Sequence, residues 1–250
     1  MFLTRRLIKQ QTDLHQLIMD RNWEEASKHL KTHPNDAKLW SRVAFDDGIY
    51  SDVLPIHLAA RGASPISLIQ DLIDAYPKGA SKADLHFNRQ PLHFACLHNP
   101  NVEIIGLLID HYPEAVSMAD KGGRIPLHYA SVGRAKESVF HLLLDVCAKS
   151  AQQLDHTGWL PLHVAVRYNA PSGAIEQIYK AYPDAVKIRT SKGGMTPAAI
   201  NQAFGLRLEE HTLQLIQPSI NSTNLNSSRN CVSPKHKLLK SSNAVHNSRM

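Results

Sequence analysis

The chain has 250 residues, 43% hydrophobic and 20% charged, which is enough apolar content for a substantial core. Its formal charge of +6 is lopsided: residues 218–250 hold Arg229, Lys235, Lys237, Lys240 and Arg249 with no acid, so the pI reflects the end of the chain and is weak evidence for nucleic-acid binding. No apolar run is long enough to span a membrane or serve as a secretory signal. Cys96, Cys147 and Cys231 have neither zinc nor disulfide-framework spacing, which suits a reducing compartment.

In chain order, Arg5, Arg6 and Lys9 form a basic lead-in to a helix, with a short mitochondrial presequence as the alternative. A helix is expected from about Asp13 and a second from about Trp23 to Lys31, closed by His33-Pro34. Residues 1–52 are therefore expected to be an N-terminal helical capping pair followed by a long connecting loop.

From Pro55 onward one motif recurs. It reads Pro55-Ile56-His57, Pro91-Leu92-His93, Pro126-Leu127-His128 and Pro161-Leu162-His163, with a degenerate Pro197-Ala198-Ala199. The prolines fall 36, 35, 35 and 36 residues apart, a period that signals stacked supersecondary units. A second marker, Tyr76-Pro77, Tyr112-Pro113 and Tyr182-Pro183, with Cys147-Ala148 in the third unit, follows each early proline by 22 residues. The step from this marker to the next unit is 14, 13, 13 and 14 residues. The constant segment has the character of a packed helix pair, and the variable one of a surface loop.

Each unit opens with proline at a favoured first helical position. Ala59, Ala95, Ala130 and Ala165 then allow close approach of a neighbouring helix. The second half carries apolar residues at helical spacing, such as Ile104, Ile105, Leu108 and Ile109, and ends at Tyr-Pro. The connections contain Asp120-Lys-Gly-Gly123 and Asp155-His-Thr-Gly158, with Asn88 and Gly194 in the equivalent glycine place, which predicts a left-handed turn residue.

These features resemble the ankyrin repeat over roughly residues 53–217. The segments Asp120 to His128 and Asp155 to His163 follow the family pattern Asp-x-x-Gly-x-Thr-Pro-Leu-His, with one change. The threonine before proline is Leu54, Gln90, Ile125 and Leu160, and returns only as Thr196, where the histidine is lost. A hydroxyl N-cap is therefore missing, a loss of about 0.5–2 kcal/mol per helix. The resemblance implies an all-α repeat solenoid of stacked helix-turn-helix units with projecting β-turn or hairpin loops. Residues 53–217 would hold four clear repeats and a degenerate C-terminal capping repeat. Beyond them, Ser and Asn supply 14 of 33 residues, so 218–250 is expected to be a disordered basic tail.

Four recurring histidines invite a metal reading, but imidazoles one unit apart stand about 10 Å from each other and cannot converge on one ion. The family resemblance gives His57, His93, His128 and His163 a structural role instead, bonded to loop backbone. No nucleophile elbow, phosphate loop or His-Glu-x-x-His is present, so catalytic residues, metal and cofactor are all expected to be absent. In ankyrin proteins the projecting turns and inner helices line a concave partner-binding groove. Carried over by position, its residues are Phe87, Arg89, His98, Lys121, Arg124, His156, Trp159, Arg167, Tyr168 and Lys192, a basic and aromatic set without a carboxylate. The leading reading is a non-enzymatic scaffold or adaptor: a monomeric, intracellular array, cytoplasmic or nuclear, that binds a protein with an acidic surface and no small-molecule substrate. The alternative is a nucleic-acid-associated protein using the groove and tail as a cationic surface.

Overall fold

The computed structural model describes residues 13–45, 50–133 and 135–217. The chain divides into two units, Met1–Pro218 and Ser219–Met250. The second unit, the expected tail over 218–250 and the basic lead-in before residue 13 lie outside the described residues.

The first unit is an all-α repeat solenoid. Helices α1 (Asp13–Met19) and α2 (Trp23–Thr32) form an antiparallel pair. Further pairs follow: α3 (Pro55–Arg61) with α4 (Ile66–Ala75), α5 (Pro91–His98) with α6 (Val102–His111), and α7 (Pro126–Val132) with α8 (Glu137–Val146). The last are α9 (Pro161–Arg167) with α10 (Ser172–Ala181), and α11 (Pro197–Phe204) with α12 (Glu210–Ile216). Odd-numbered helices pack on one another in an inner row, and even-numbered helices in an outer row. Ala59, Ala95, Ala130 and Ala165 are fully buried in the inner row, where a larger side chain would hold the helices apart. The outer helices contribute large core side chains: Leu68, Ile69 and Leu72, Ile104, Ile105 and Leu108, Val139, Phe140 and Leu143, and Ile175 and Ile178.

Each outer helix ends at the residue before the marker proline. Tyr76, Tyr112, Cys147 and Tyr182 all sit near φ −150 and ψ +80, outside the helical region that a following proline disfavours, although Cys147 precedes alanine. The chain then makes one 3₁₀ turn: Pro77–Ser81, Pro113–Ser117, Ala148–Gln152 or Pro183–Lys187. The same turn forms where Ala148 replaces proline, so packing sustains it and proline only favours it. Asn88, Gly123, Gly158 and Gly194 take positive φ at the tips of the projecting turns.

The connection between Pro34 and Pro55 holds an antiparallel hairpin of β1 (Ser41–Ala44) and β2 (Tyr50–Val53), in register from Ser41 opposite Val53 to Ala44 opposite Tyr50. Successive turn tips are tied by backbone hydrogen bonds: Leu85 N to Asp52 O (3.1 Å), Lys121 N to Phe87 O (2.8 Å), His156 N to Gly122 O (2.8 Å) and Ser191 N to Thr157 O (3.2 Å). These bonds hold the turns in a row beside the inner helices.

Candidate functional site

The four motif histidines share one geometry. Nδ1 of His57, His93, His128 and His163 accepts the backbone N–H of Leu54, Gln90, Ile125 and Leu160 at 3.1, 3.1, 3.3 and 3.0 Å. With Nδ1 an acceptor, Nε2 carries the proton. It donates across to the next projecting segment, to the carbonyl oxygens of Lys82, Arg124, Trp159 and Ile188 at 2.9, 3.3, 3.1 and 3.0 Å. Each imidazole thus serves its own helix start and braces the following turn. It supplies half of a capping box where the residue before proline has no hydroxyl. At Thr196 the hydroxyl itself caps, accepting from Ala199 N at 3.3 Å. Both ring nitrogens of the four histidines are engaged, so neither has a lone pair for a metal. Burial pushes all four pKa values down, to about 4 for His57 and His93. Burial likewise pushes the Cys96 thiol up, away from nucleophilic chemistry.

The projecting turns are closed by a carboxylate. Oδ1 of Asp84 accepts from Arg89 N (2.6 Å), Oδ1 of Asp120 from Gly122 N and Arg124 N (both 2.8 Å), and Oδ1 of Asp155 from Thr157 N and Trp159 N (both 2.8 Å). Asp84 and Asp120 then bind the guanidinium of their own turn: Arg89 Nη2 lies 3.0 Å and Arg124 Nη2 2.8 Å from the second carboxylate oxygen. Bonds from Tyr129 and Arg124 hold the Asp120 carboxyl below the usual range, although burial pulls it up.

This corrects the expected face in two respects. The basic set has carboxylates behind it, because a guanidinium laid over aromatic rings and drawn out of water needs a counter-ion. Arg89 in particular is not a free groove cation. Its side chain is only 15% exposed, bonded to Asp84, with Cζ 4.4 Å from the Phe87 ring centroid and 4.5 Å from that of Phe94. Arg124 is likewise paired but 47% exposed. Trp159 is half-buried: its ring packs against the core, 6.1 Å from that of His163.

The remaining positions are spread along the face. Lys121 is exposed, with Nζ 3.3 Å from Leu85 O. His98, His156 and Lys192 are exposed, and Phe87 is half-buried against His86. Arg124, Trp159, Arg167 and Tyr168 converge. With Leu97, Asp155 and Val164 among its other walls, they line a cavity of about 310 Å³ between the inner helices and the projecting turns. The guanidinium of Arg167 lies 3.9 Å from the Phe204 ring centroid. Among the described residues, no group of histidine, cysteine and carboxylate side chains is arranged to hold a metal, and no helix is long and apolar enough to cross a membrane.

Three copies of the ankyrin-repeat family model match residues 56–150. Over residues 56–150 the chain is similar to ankyrin repeats. No curated protein matches the chain. Ankyrin repeats generally mediate protein–protein interaction and are typically non-enzymatic. In this chain His57, His93 and His128 each brace the repeats through both ring nitrogens, with no hydroxyl on the residue before proline.

Proposed function

We propose that this ankyrin array is a non-enzymatic scaffold or adaptor that binds a partner protein along the face made by its inner helices and projecting turns. The observation that carries this reading is the cavity at Trp159, to which three consecutive units contribute Leu97, Arg124, Trp159, Arg167 and Tyr168. Partly exposed Trp, Tyr and Arg at one place are the residue types that dominate binding energy. Lys121 and Lys192 on the turns and Arg167 on the inner row bias the face toward carboxylates on the partner. The array proper is residues 53–217, with the preceding helix pair and the degenerate last unit covering its two ends. Among the described residues Cys96 and Cys147 are free thiols, which suits a reducing, intracellular compartment.

The test is capture of a partner by the full chain, followed by measured affinity for variants. Trp159→Ala or Arg167→Glu weakens binding at least about tenfold, or about 1.4 kcal/mol, with the fold intact. Unchanged affinity in the folded fraction, together with a large drop in melting temperature for Trp159→Ala, would show that the indole serves packing alone. Capture that vanishes with nuclease and falls steeply with salt would favour a nucleic-acid ligand instead.

A further inference from the structure

Three successive turns are built alike, and the third is incomplete. At the first, Oδ2 of Asp84 is filled by Arg89 Nη2 (3.0 Å) and Nε (3.3 Å) and by the Ser51 hydroxyl (2.8 Å). At the second, Oδ2 of Asp120 is filled by Arg124 Nη2 (2.8 Å) and Nε (3.0 Å) and by the Tyr129 hydroxyl (2.6 Å). At the third, Oδ1 of Asp155 closes the turn and also takes the Thr157 hydroxyl at 2.7 Å, but among the described residues no donor bonds to Oδ2. Two replacements account for this. The place of Arg124, two residues before the helix proline, holds Trp159. The place of Tyr129, three residues after it, holds Val164. Asp155, Trp159 and Val164 are among the walls of the cavity of about 310 Å³.

We propose that this cavity receives an arginine side chain of the partner protein. Its guanidinium donates to the open oxygen of Asp155 and stacks on Trp159, supplying from outside what Arg89 and Arg124 supply to their own turns. The two filled turns are the template. Each places a guanidinium on the carboxylate and over an aromatic ring, with Cζ 4.4 Å from the Phe87 centroid and 5.2 Å from that of Tyr129. The arginines that border the cavity make no hydrogen bond to Asp155: Arg124 is bonded to Asp120 and feels Asp155 only through space, and Arg167 lies over Phe204. A lysine has neither the planar donor fork nor the stacking face for this place. The inference rests on the protein-binding reading and refines it: a partner segment that is otherwise acidic brings one arginine as its anchor.

The test uses the full chain and Nα-acetyl-arginine methylamide, with the lysine and citrulline analogues as comparators. The Trp159 indole N–H is followed by NMR and assigned from Trp159→Phe. The arginine probe shifts that signal saturably, several-fold tighter than the lysine probe, and the citrulline probe leaves it unmoved. Asp155→Asn keeps a carbonyl oxygen for the Thr157 and Trp159 amides, so the turn persists, while loss of the charge weakens the arginine probe about tenfold or more. The double variant Trp159→Arg with Val164→Tyr rebuilds the filled turn and abolishes probe binding, which is read by titration calorimetry because the reporter indole is gone. No saturable shift, or equal shifts from lysine or citrulline, would overturn the inference without recourse to any variant. So would probe binding unchanged in folded Asp155→Asn. The probe requires no partner. A silent cavity with partner capture still dependent on Trp159 and Arg167 therefore overturns the arginine inference alone, and probe binding without face-dependent capture overturns the interaction reading alone.

Discussion

His93 shows what a single side chain does in this architecture. Its ring joins the start of its own helix to the carbonyl of Arg124 on the next turn, and it can do so only as the neutral Nε2–H tautomer. A second proton would occupy the nitrogen that accepts from Gln90. Burial pushes the pKa down to about 4, and the nearby Asp120 carboxylate, which pulls the other way, is outweighed. His57, beside Asp84, is also held at about 4. The unfolded chain titrates near 6.5, so between about pH 6.5 and 4 it takes up protons that the folded chain refuses. Stability from these groups is full above pH 6.5 and falls as the pH drops toward 4, by up to about 1.4 kcal/mol per pH unit for each imidazole. Denaturant melts at a series of pH values check this. His93→Ala lowers stability at pH 7 by about 1–3 kcal/mol, through a lost buried bond, and makes the acid slope shallower. An acid slope unchanged by His93→Ala would mean that the imidazole is not the group being titrated.

At the scale of the element, the junction after each outer helix is set by backbone geometry more than by residue type. Cys147 adopts φ −149 and ψ 89, close to Tyr112 at φ −152 and ψ 79, although only the tyrosine precedes proline. The third unit is therefore already shaped for proline at position 148. Ala148→Pro restricts the unfolded chain without asking the folded one to move, and should raise stability by about 0.4–1 kcal/mol. Thermal or chemical melting of the single variant measures it. A loss of stability would show that the Ala148 N–H holds a bond that the other units do without. The turns follow a related logic. Asp84, Asp120 and Asp155 each accept the backbone N–H of the residue two before the helix proline, and that residue is then free to be Arg or Trp.

Across the whole first unit, each pair is stabilised mainly by its neighbours. Helix α11 packs on α9 and α12 on α10, and Ile200 and Ile216 are fully buried. A chain ending at Gly194 lacks both helices and leaves the apolar sides of α9 and α10 uncovered. It should aggregate or melt well below a chain ending at Gln217, which keeps them. Light scattering and circular dichroism of the two truncations decide this, and equal melting temperatures would mean that the last pair covers nothing essential. A bound partner should act along the same line: a ligand that bridges consecutive turns raises the melting temperature as its concentration grows.

The repeat, its period and the all-α solenoid are legible in the sequence, because they rest on local spacing. Proline at a helix start, apolar residues at helical intervals and glycine or asparagine at a left-handed turn each leave a mark within a few residues. The partners of those residues are not legible in the same way. That Arg89 is tied to Asp84 while Arg167 lies over Phe204 depends on where side chains meet across turns and units. The hairpin of β1 and β2 escapes the sequence for a similar reason: four-residue strands carry too few alternations to stand out, and they are recognised only once they pair with each other and with the Leu85 turn. The open oxygen of Asp155 belongs to the same class. Asp155 and Asp120 open the same turn pattern, and the fold shows that Arg124 and Tyr129 reach the second oxygen of Asp120, while Trp159 and Val164, which stand in their places, offer Asp155 no such bond.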